Sequence, residues 1–446
     1  VKGKAMGERI TNFILIIRRL PIFRIFQRTL GMLMPIAIIG SYFKLLRDAV
    51  FSPDSFIYNI LNFDSTMSDK IWYAGSFICN GFVRVTFGLF GLYAAYFAAR
   101  YTARLYHKDS TLAGMTAVMI IMFCAYASNV GNKLSNKSMF SSSVLQINAL
   151  LLALLVGYAV GEIFHWLGKN HQPLEFEHVH RVRTRAWNAL LPASVSIIAG
   201  MILGIIIYEL QIKILSSSTF RELVIQIQNS NNIFEIIALA FVVMLLSWIG
   251  IGYPLTSLST AAALTSGTAT VNLNYALKHG GSWNVPYKFL GSSLVYPYGA
   301  MGGASVVLAL IVIILLSHQN KETENIAKAN LLPAAFNSTW GFMIGMPIIL
   351  NPVLFLPMVL IPVINIMIAS LAIFLHIITP CIYPVLKGTP GILISFFGSN
   401  GNWSNLVFSI CLFILDILML IPISLLGQRI ERKLKAYEYE KGQQTA

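Results

Sequence analysis

The chain has 446 residues, of which 56% are hydrophobic and only 11% charged, with a mean hydropathy of +0.69. A soluble globular protein carries about 25% charged residues, so this composition excludes that class and indicates an integral membrane protein. The net charge of +14 sits at the ends of apolar runs, where the positive-inside rule and anionic lipid headgroups account for it without nucleic acid.

A spanning helix takes roughly 20 apolar residues, which leaves room for about eight to ten helices with their loops. A β-barrel is disfavoured, since its strands alternate over about ten residues, whereas Ala149 to Val160 and Val306 to Leu316 are apolar on every face. The expected fold class is an all-α polytopic membrane protein. Cys79, Cys124, Cys381 and Cys411 are scattered without CxxC spacing, so no disulfide framework or zinc site is implied.

Residues 1–29 mix Lys2, Lys4, Arg9, Arg18, Arg19, Arg24 and Arg28 with apolar side chains. No short apolar core with a small-residue cleavage site follows, so this reads as an amphipathic segment on the inner membrane face rather than a cleaved signal. A partner-docking arm is the alternative.

Spans are expected near Leu30 to Leu46, Trp72 to Ala99, Leu112 to Ala127, Leu145 to Trp166 and Ala189 to Tyr208. The loop His165 to Trp187 carries Lys169, Arg181, Arg183 and Arg185. A cytoplasmic N-terminus followed by four spans returns this loop to the cytoplasm, in agreement with its charge. Its His171, His178 and His180 stand in a basic loop without Cys, beside Glu175 and Glu177, and read as a solvated loop rather than a metal site. Residues 211–232 form a polar amphipathic connector.

The second half differs in texture. After a span at Ile233 to Ile249, Tyr253 to Ser305 is rich in Gly, Ser, Thr and Pro and has no Asp or Glu. A second interrupted stretch, Pro333 to Pro352, follows a span at Val306 to Leu316 and a polar loop, HQNKETENIAKAN. Irregular backbone at membrane depth persists only where protein buries it or a wet cavity borders it, so two re-entrant hairpins are expected. Paired interruptions of this kind point to a binding site near the midplane. Spans at Val353 to His376 and Leu406 to Leu426 follow, and the charged residues 429–446 lie in water.

Four stretches carry a family resemblance: Arg28 to Phe43, Phe87 to Gly114, GMPIILNPVLFLPMVLIPVIN (Gly345 to Asn365) and GSNGNWSN (Gly398 to Asn405). In this order the chain resembles enzyme IIC of the phosphoenolpyruvate-dependent phosphotransferase system, of the lactose/cellobiose (oligo-β-glucoside) family. The resemblance covers roughly Leu20 to Gly427. It implies about ten membrane helices, both termini cytoplasmic, in the bacterial cell membrane. It also implies a dimerising domain at 30–210 that makes a homodimer, and a transport domain at 233–428 that carries an oligosaccharide or glycoside in an elevator-like motion.

The departures from the family's pattern bear on chemistry. Its glutamate position, after Asn-Ile-Asn, is held here by Trp340, behind Asn337, Ser338 and Thr339. Its Gly-Ile-His-Gly reads Gly250, Ile251, Gly252, Tyr253, so the histidine position is Gly252. An acid and an imidazole that elsewhere orient a sugar hydroxyl are thus missing. The resemblance places the solute against Gly252, Tyr253, Asn337, Thr339 and Trp340, with His376 and Thr379 beside them.

Trp248, Trp283, Tyr296, Tyr298 and Trp403 are further aromatics that either stack on sugar rings or form interfacial belts. Asp416, an acid inside an apolar span, is either a site group or a helix-packing hydrogen bond. No catalytic residue, cofactor or phosphoryl-carrying residue is read in the chain, and any phosphorylation needs a separate IIB protein with its IIA donor. A degenerate permease-like protein that binds, senses or facilitates a solute, or acts as a membrane receptor, without phosphorylation is the alternative. A polytopic transferase lacks the clustered Asp, Glu or His for its catalysis.

Overall fold

The computed structural model describes residues 12, 14–131, 140–170, 179–210, 230–251, 267–303, 305–317 and 320–445. Among them the regular secondary structure is all helical, joined by turns and loops, with two isolated bridges, Ser55 with Lys387 and Ala149 with Ile251. The longer helices are α1 (Pro21–Ala49), α2 (Asp69–Thr86), α3 (Phe90–Leu105), α4 (Ser110–Gly131), α5 (Leu150–Leu167) and α6 (Val179–Leu210) in the first half. The second half supplies α7 (Ile233–Ile249), α8 (Gly267–His279), α9 (Ser305–Ser317), α10 (Lys321–Ala335), α11 (Trp340–Gly345), α12 (Phe355–Phe374) and α13 (Trp403–Thr445).

Seven helical runs are long and apolar enough to cross a bilayer, with α2 and α3 counted as one, and α7 and α9 are shorter apolar helices. The protein is a multi-pass membrane protein. The expected span Trp72 to Ala99 is interrupted by a turn between Thr86 and Phe90, which splits it into α2 and α3. The stretch read as a polar loop, HQNKETENIAKAN, is instead largely helical from Lys321 on. Asn320 caps it by accepting from the Glu322 N–H at 3.1 Å, and Lys328 pairs with Glu324 at 2.6 Å one turn away. Capping and an i,i+4 ion pair stabilise a helix that hydropathy alone does not reveal.

Small residues set the packing of the first half. Ala94, Ala95, Ala98, Ala99 and Ala103 of α3 are fully buried. Gly157 of α5 lies so close that a Cβ there would stand 2.5 Å from the Ala95 carbonyl oxygen. In lipid such close backbone approach replaces the hydrophobic drive that water supplies to soluble bundles.

The largest core is shared by both halves. It joins Leu30 and Leu33 of α1, Leu150 and Leu154 of α5, Ile311 of α9 and Ile344 of α11. A second core surrounds Tyr298, Ile366 and Leu412. Ile14 and Leu15, from the expected amphipathic segment, are buried beside Val353 and Ile430, so this segment docks on the second half.

Basic residues gather at one end of the bundle. Lys108 Nζ donates to the Gly168 carbonyl and to Asn170 Oδ1, both at 2.8 Å. Arg185 pairs with Asp109, whose Oδ1 caps α4 by accepting from the Thr111 and Leu112 N–H groups. The N-terminal end of α1 meets the C-terminal end of α3 in the same region, at Arg28 and Arg104.

Candidate solute-binding site

The site begins with a helix that cannot continue. Within Gly291–Leu294 and the following Val295–Gly299, Pro297 has no N–H to extend the α ladder, and the chain adopts a π turn closed by Ala300 N–H to Val295 O at 2.7 Å. Proline explains the break, and π turns recur at functional positions.

Opposite lies the loop from Thr379 to Thr389. It is pinned where the Ile382 and Tyr383 N–H groups share the Gly398 carbonyl at 2.9 and 3.0 Å. Beneath both, Asn405 donates to the Tyr298 hydroxyl at 2.9 Å and to the Thr379 carbonyl at 2.8 Å, and it accepts from the Thr379 N–H at 3.1 Å.

Between these walls is a cleft with about 680 Å³ of empty space, its mouth included. Asn272, Ser293, Tyr296, Tyr383 and Lys387 contribute its polar groups. Asn272 is already used by the Tyr287 backbone, and Ser293 donates to the Cys381 carbonyl at 2.7 Å. Among the described residues the Tyr296 and Tyr383 hydroxyls have no hydrogen-bond partner, and Lys387 Nζ stands 3.8 Å from Asp54. A mostly apolar cleft with two phenols and one ammonium suits a polyhydroxylated ring, whose C–H faces pack on aromatic planes while its hydroxyls find the polar tips.

The residues expected at the site are dispersed around this cleft. Asn337, in the left-handed region at φ 66°, donates to the Thr389 carbonyl at 2.7 Å, tying the second interrupted stretch to the loop that walls the cleft. Its Oδ1 is buried without a partner among the described residues. Thr379 is buried and held by Asn405. Thr339 is buried just before α11, and Trp340 opens α11, half-buried against the large core.

His376 is exposed, its ring stacked on Trp283 at 6.1 Å between centroids. It is not part of the cleft lining. Gly252 and Tyr253 lie outside the described residues, as do His171 and His178. Tyr383 and Lys387 were not legible as site residues. The only signal for Tyr383 is a Tyr-Pro pair, Tyr383-Pro384, of the kind seen at Tyr253-Pro254 and Tyr296-Pro297 in acid-free sequence, and Lys387 has none.

Glycine- and proline-broken helices that wall a cleft inside an all-helical multi-pass bundle are the architecture of a membrane carrier. The chain belongs to the phosphotransferase system EIIC family, whose sequence profile matches residues 27–362. It is similar to the cellobiose-specific EIIC component of the phosphotransferase system of Lactococcus lactis subsp. lactis (strain IL1403), at 25% identity over 130 residues. That match spans 29% of this chain and 26% of the relative's length. Among solved structures it is similar to the transporter ChbC, the IIC component of the N,N'-diacetylchitobiose-specific phosphotransferase system. The identity there is 18%, with a TM-score of 0.41 and coverage of 94% of this chain and 96% of the other.

Proposed function

We propose that the protein is the sugar-translocating component of a phosphoenolpyruvate-dependent phosphotransferase system, taking up an oligosaccharide or glycoside across a bacterial cytoplasmic membrane. The observation that carries this reading is the cleft walled by the π turn at Tyr296 and the loop at Tyr383 and Lys387, in a chain of the EIIC family. The solute sits there, with Asn337 and Thr379 holding its walls. The two halves, 30–210 and 233–428, move relative to one another, the first half forms the homodimer, and both termini face the cytoplasm. Phosphorylation of the sugar is carried out by a separate IIB protein supplied by IIA.

With Trp340 and Gly252 in place of an acid and an imidazole, two charge-capable partners are missing, each contributing about 1.5 to 3 kcal/mol when ionised. The favoured solute is therefore a less polar or aromatic-bearing glycoside rather than plain cellobiose. Titration of the purified protein with cellobiose, N,N'-diacetylchitobiose and aryl β-glucosides tests this. Tightest binding of an aryl glycoside, weakened at least tenfold by Tyr296→Ala and by Tyr383→Ala, is the expected result. Sugar binding untouched by both changes would remove the solute from this cleft.

A further inference from the structure

A second, open groove lies at the basic end of the bundle, lined by Arg28, Gly31 and Met32 of α1 and by Tyr101, Arg104 and Leu105 of α3. Each helix contributes one face, since residues three and four apart are neighbours on a helix surface. The groove holds about 1060 Å³ of empty space, its open side included.

Two features of it ask for an anion. Arg28 and Arg104 are both exposed, and among the described residues no carboxylate lies within ion-pair distance of either. Asp109, the acid closest in sequence to Arg104, is already taken by Arg185 and by the cap of α4. Two guanidinium forks from two helices match the oxygens of a phosphate, which each fork can bind through two parallel N–H groups.

Two more features specify a lipid. Space over Gly31 is open, with no atom within 4 Å of where a Cβ would stand. From Arg28 an exposed apolar track runs along α1 through Met32, Ile39 and Leu46, each step of seven residues spanning about 10 Å. A soluble anion has no use for such a track, whereas acyl chains do. Basic pockets between membrane helices at the cytoplasmic side are where anionic headgroups bind.

We propose that this groove is a binding site for an anionic phospholipid, its phosphate between Arg28 and Arg104 and its acyl chains along Met32, Ile39 and Leu46. Such a lipid would pin α1 to α3 at the bilayer surface, and the site is independent of which solute the cleft takes.

The test uses the full chain purified in detergent and offered phosphatidylglycerol, phosphatidylcholine or inorganic phosphate. Bound lipid is read by native mass spectrometry and the unfolding midpoint is recorded alongside. The expected result is retention of phosphatidylglycerol over phosphatidylcholine, a rise in midpoint with the former, and at least a tenfold loss of retention in R28Q/R104Q. Lys169→Gln, a basic residue outside the groove, keeps retention. Met32→Asp leaves both arginines in place but sets a carboxylate in the acyl track, and it is expected to lose the lipid too. Equal retention of the two lipids overturns the proposal, as does undiminished retention in R28Q/R104Q or in Met32→Asp. A midpoint rise with millimolar phosphate equal to that with phosphatidylglycerol overturns the lipid assignment in favour of a soluble anion.

Discussion

The Asn405 side-chain amide donates to the Tyr298 hydroxyl at 2.9 Å across 107 residues, with both groups fully buried. Because the same amide also brackets Thr379 through its N–H and carbonyl, one side chain fastens three segments: the π turn, the loop of the opposite wall and the start of α13. Asn405→Ala strands both Thr379 backbone groups, at about 1 to 3 kcal/mol for each buried group left unpaired, and leaves the Tyr298 hydroxyl only the weak Cys381 thiol donor at 3.5 Å. Tyr298→Phe removes only one of the partners of Asn405, which keeps its bonds to Thr379, and retains the edge contact with Phe408 at 5.6 Å. Thermal unfolding in detergent is expected to place Asn405→Ala well below Tyr298→Phe, and equal midpoints would deny the amide its bridging role.

The two halves are joined most closely where Ser41 meets α11. The Ser41 hydroxyl accepts from the Gly341 N–H at 2.8 Å, its carbonyl accepts from Ser338 Oγ at 2.9 Å, and Tyr42 Oη donates to the Ala329 carbonyl nearby at 2.8 Å. A Cβ at position 341 would collide with Asn330 Oδ1 and approach Ser41 Oγ to 2.8 Å and Ile38 Cα to 3.2 Å. Overpacking of this kind costs about 1 to 3 kcal/mol. Gly341→Ala is therefore expected to lower the unfolding midpoint, while Ser41→Ala, which removes a bond without adding bulk, lowers it less. The reverse order would show that the hydrogen bond, and not the close approach, holds the halves together.

Much of the fold was legible because membrane helices announce themselves by composition. The spans around α1, α4, α6, α12 and α13 are uniform apolar runs, and the interruption that Pro297 causes was visible as a stretch too small-residued for a plain helix. The helix at Lys321–Ala335 was not legible, because its stability comes from a cap and an ion pair rather than from hydropathy. Within the site, Asn337 and Thr379 were found by resemblance, yet the structure gives them wall-holding bonds. The cleft groups Tyr296 and Tyr383, whose hydroxyls have no partner among the described residues, and Lys387, which faces Asp54 at 3.8 Å, are set by a turn and a loop whose geometry no periodicity encodes.

Charge and packing make a joint prediction about sidedness. Lys108 reaches the Gly168 carbonyl and Arg185 pairs with Asp109, so the α3–α4 turn and the start of α6 share one end with Arg28 and Arg104. Carrying that cluster across the bilayer is opposed by the positive-inside rule. A cysteine at Arg183, in an otherwise cysteine-free background, is expected to resist an impermeant thiol reagent in intact cells. It should label in inverted vesicles. Labelling from outside would reverse the orientation of the whole bundle.

Asp416 is fully buried and is held by two neutral donors, Asn365 Nδ2 at 2.9 Å from α12 and Ser305 Oγ at 3.0 Å from the start of α9. Among the described residues no basic side chain is paired with it. The acid thus joins three helices beside the second core, and α9 begins there, with the N-terminal end of its dipole favouring a carboxylate. That geometry is of helix packing rather than of a relay, which needs a second titratable group to pass a proton on. Asp416→Asn keeps one oxygen to accept from Asn365 and offers an N–H to the Ser305 hydroxyl. It is expected to fold normally and to take up sugar at the parent rate at both pH 6 and pH 8. Asp416→Leu strands the Asn365 amide and the Ser305 hydroxyl, at about 1 to 3 kcal/mol each, and is expected to lower the unfolding midpoint. Uptake by reconstituted protein, measured beside thermal unfolding, separates the two roles: a collapse of uptake in a well-folded Asp416→Asn would give the carboxylate a proton-carrying part in transport.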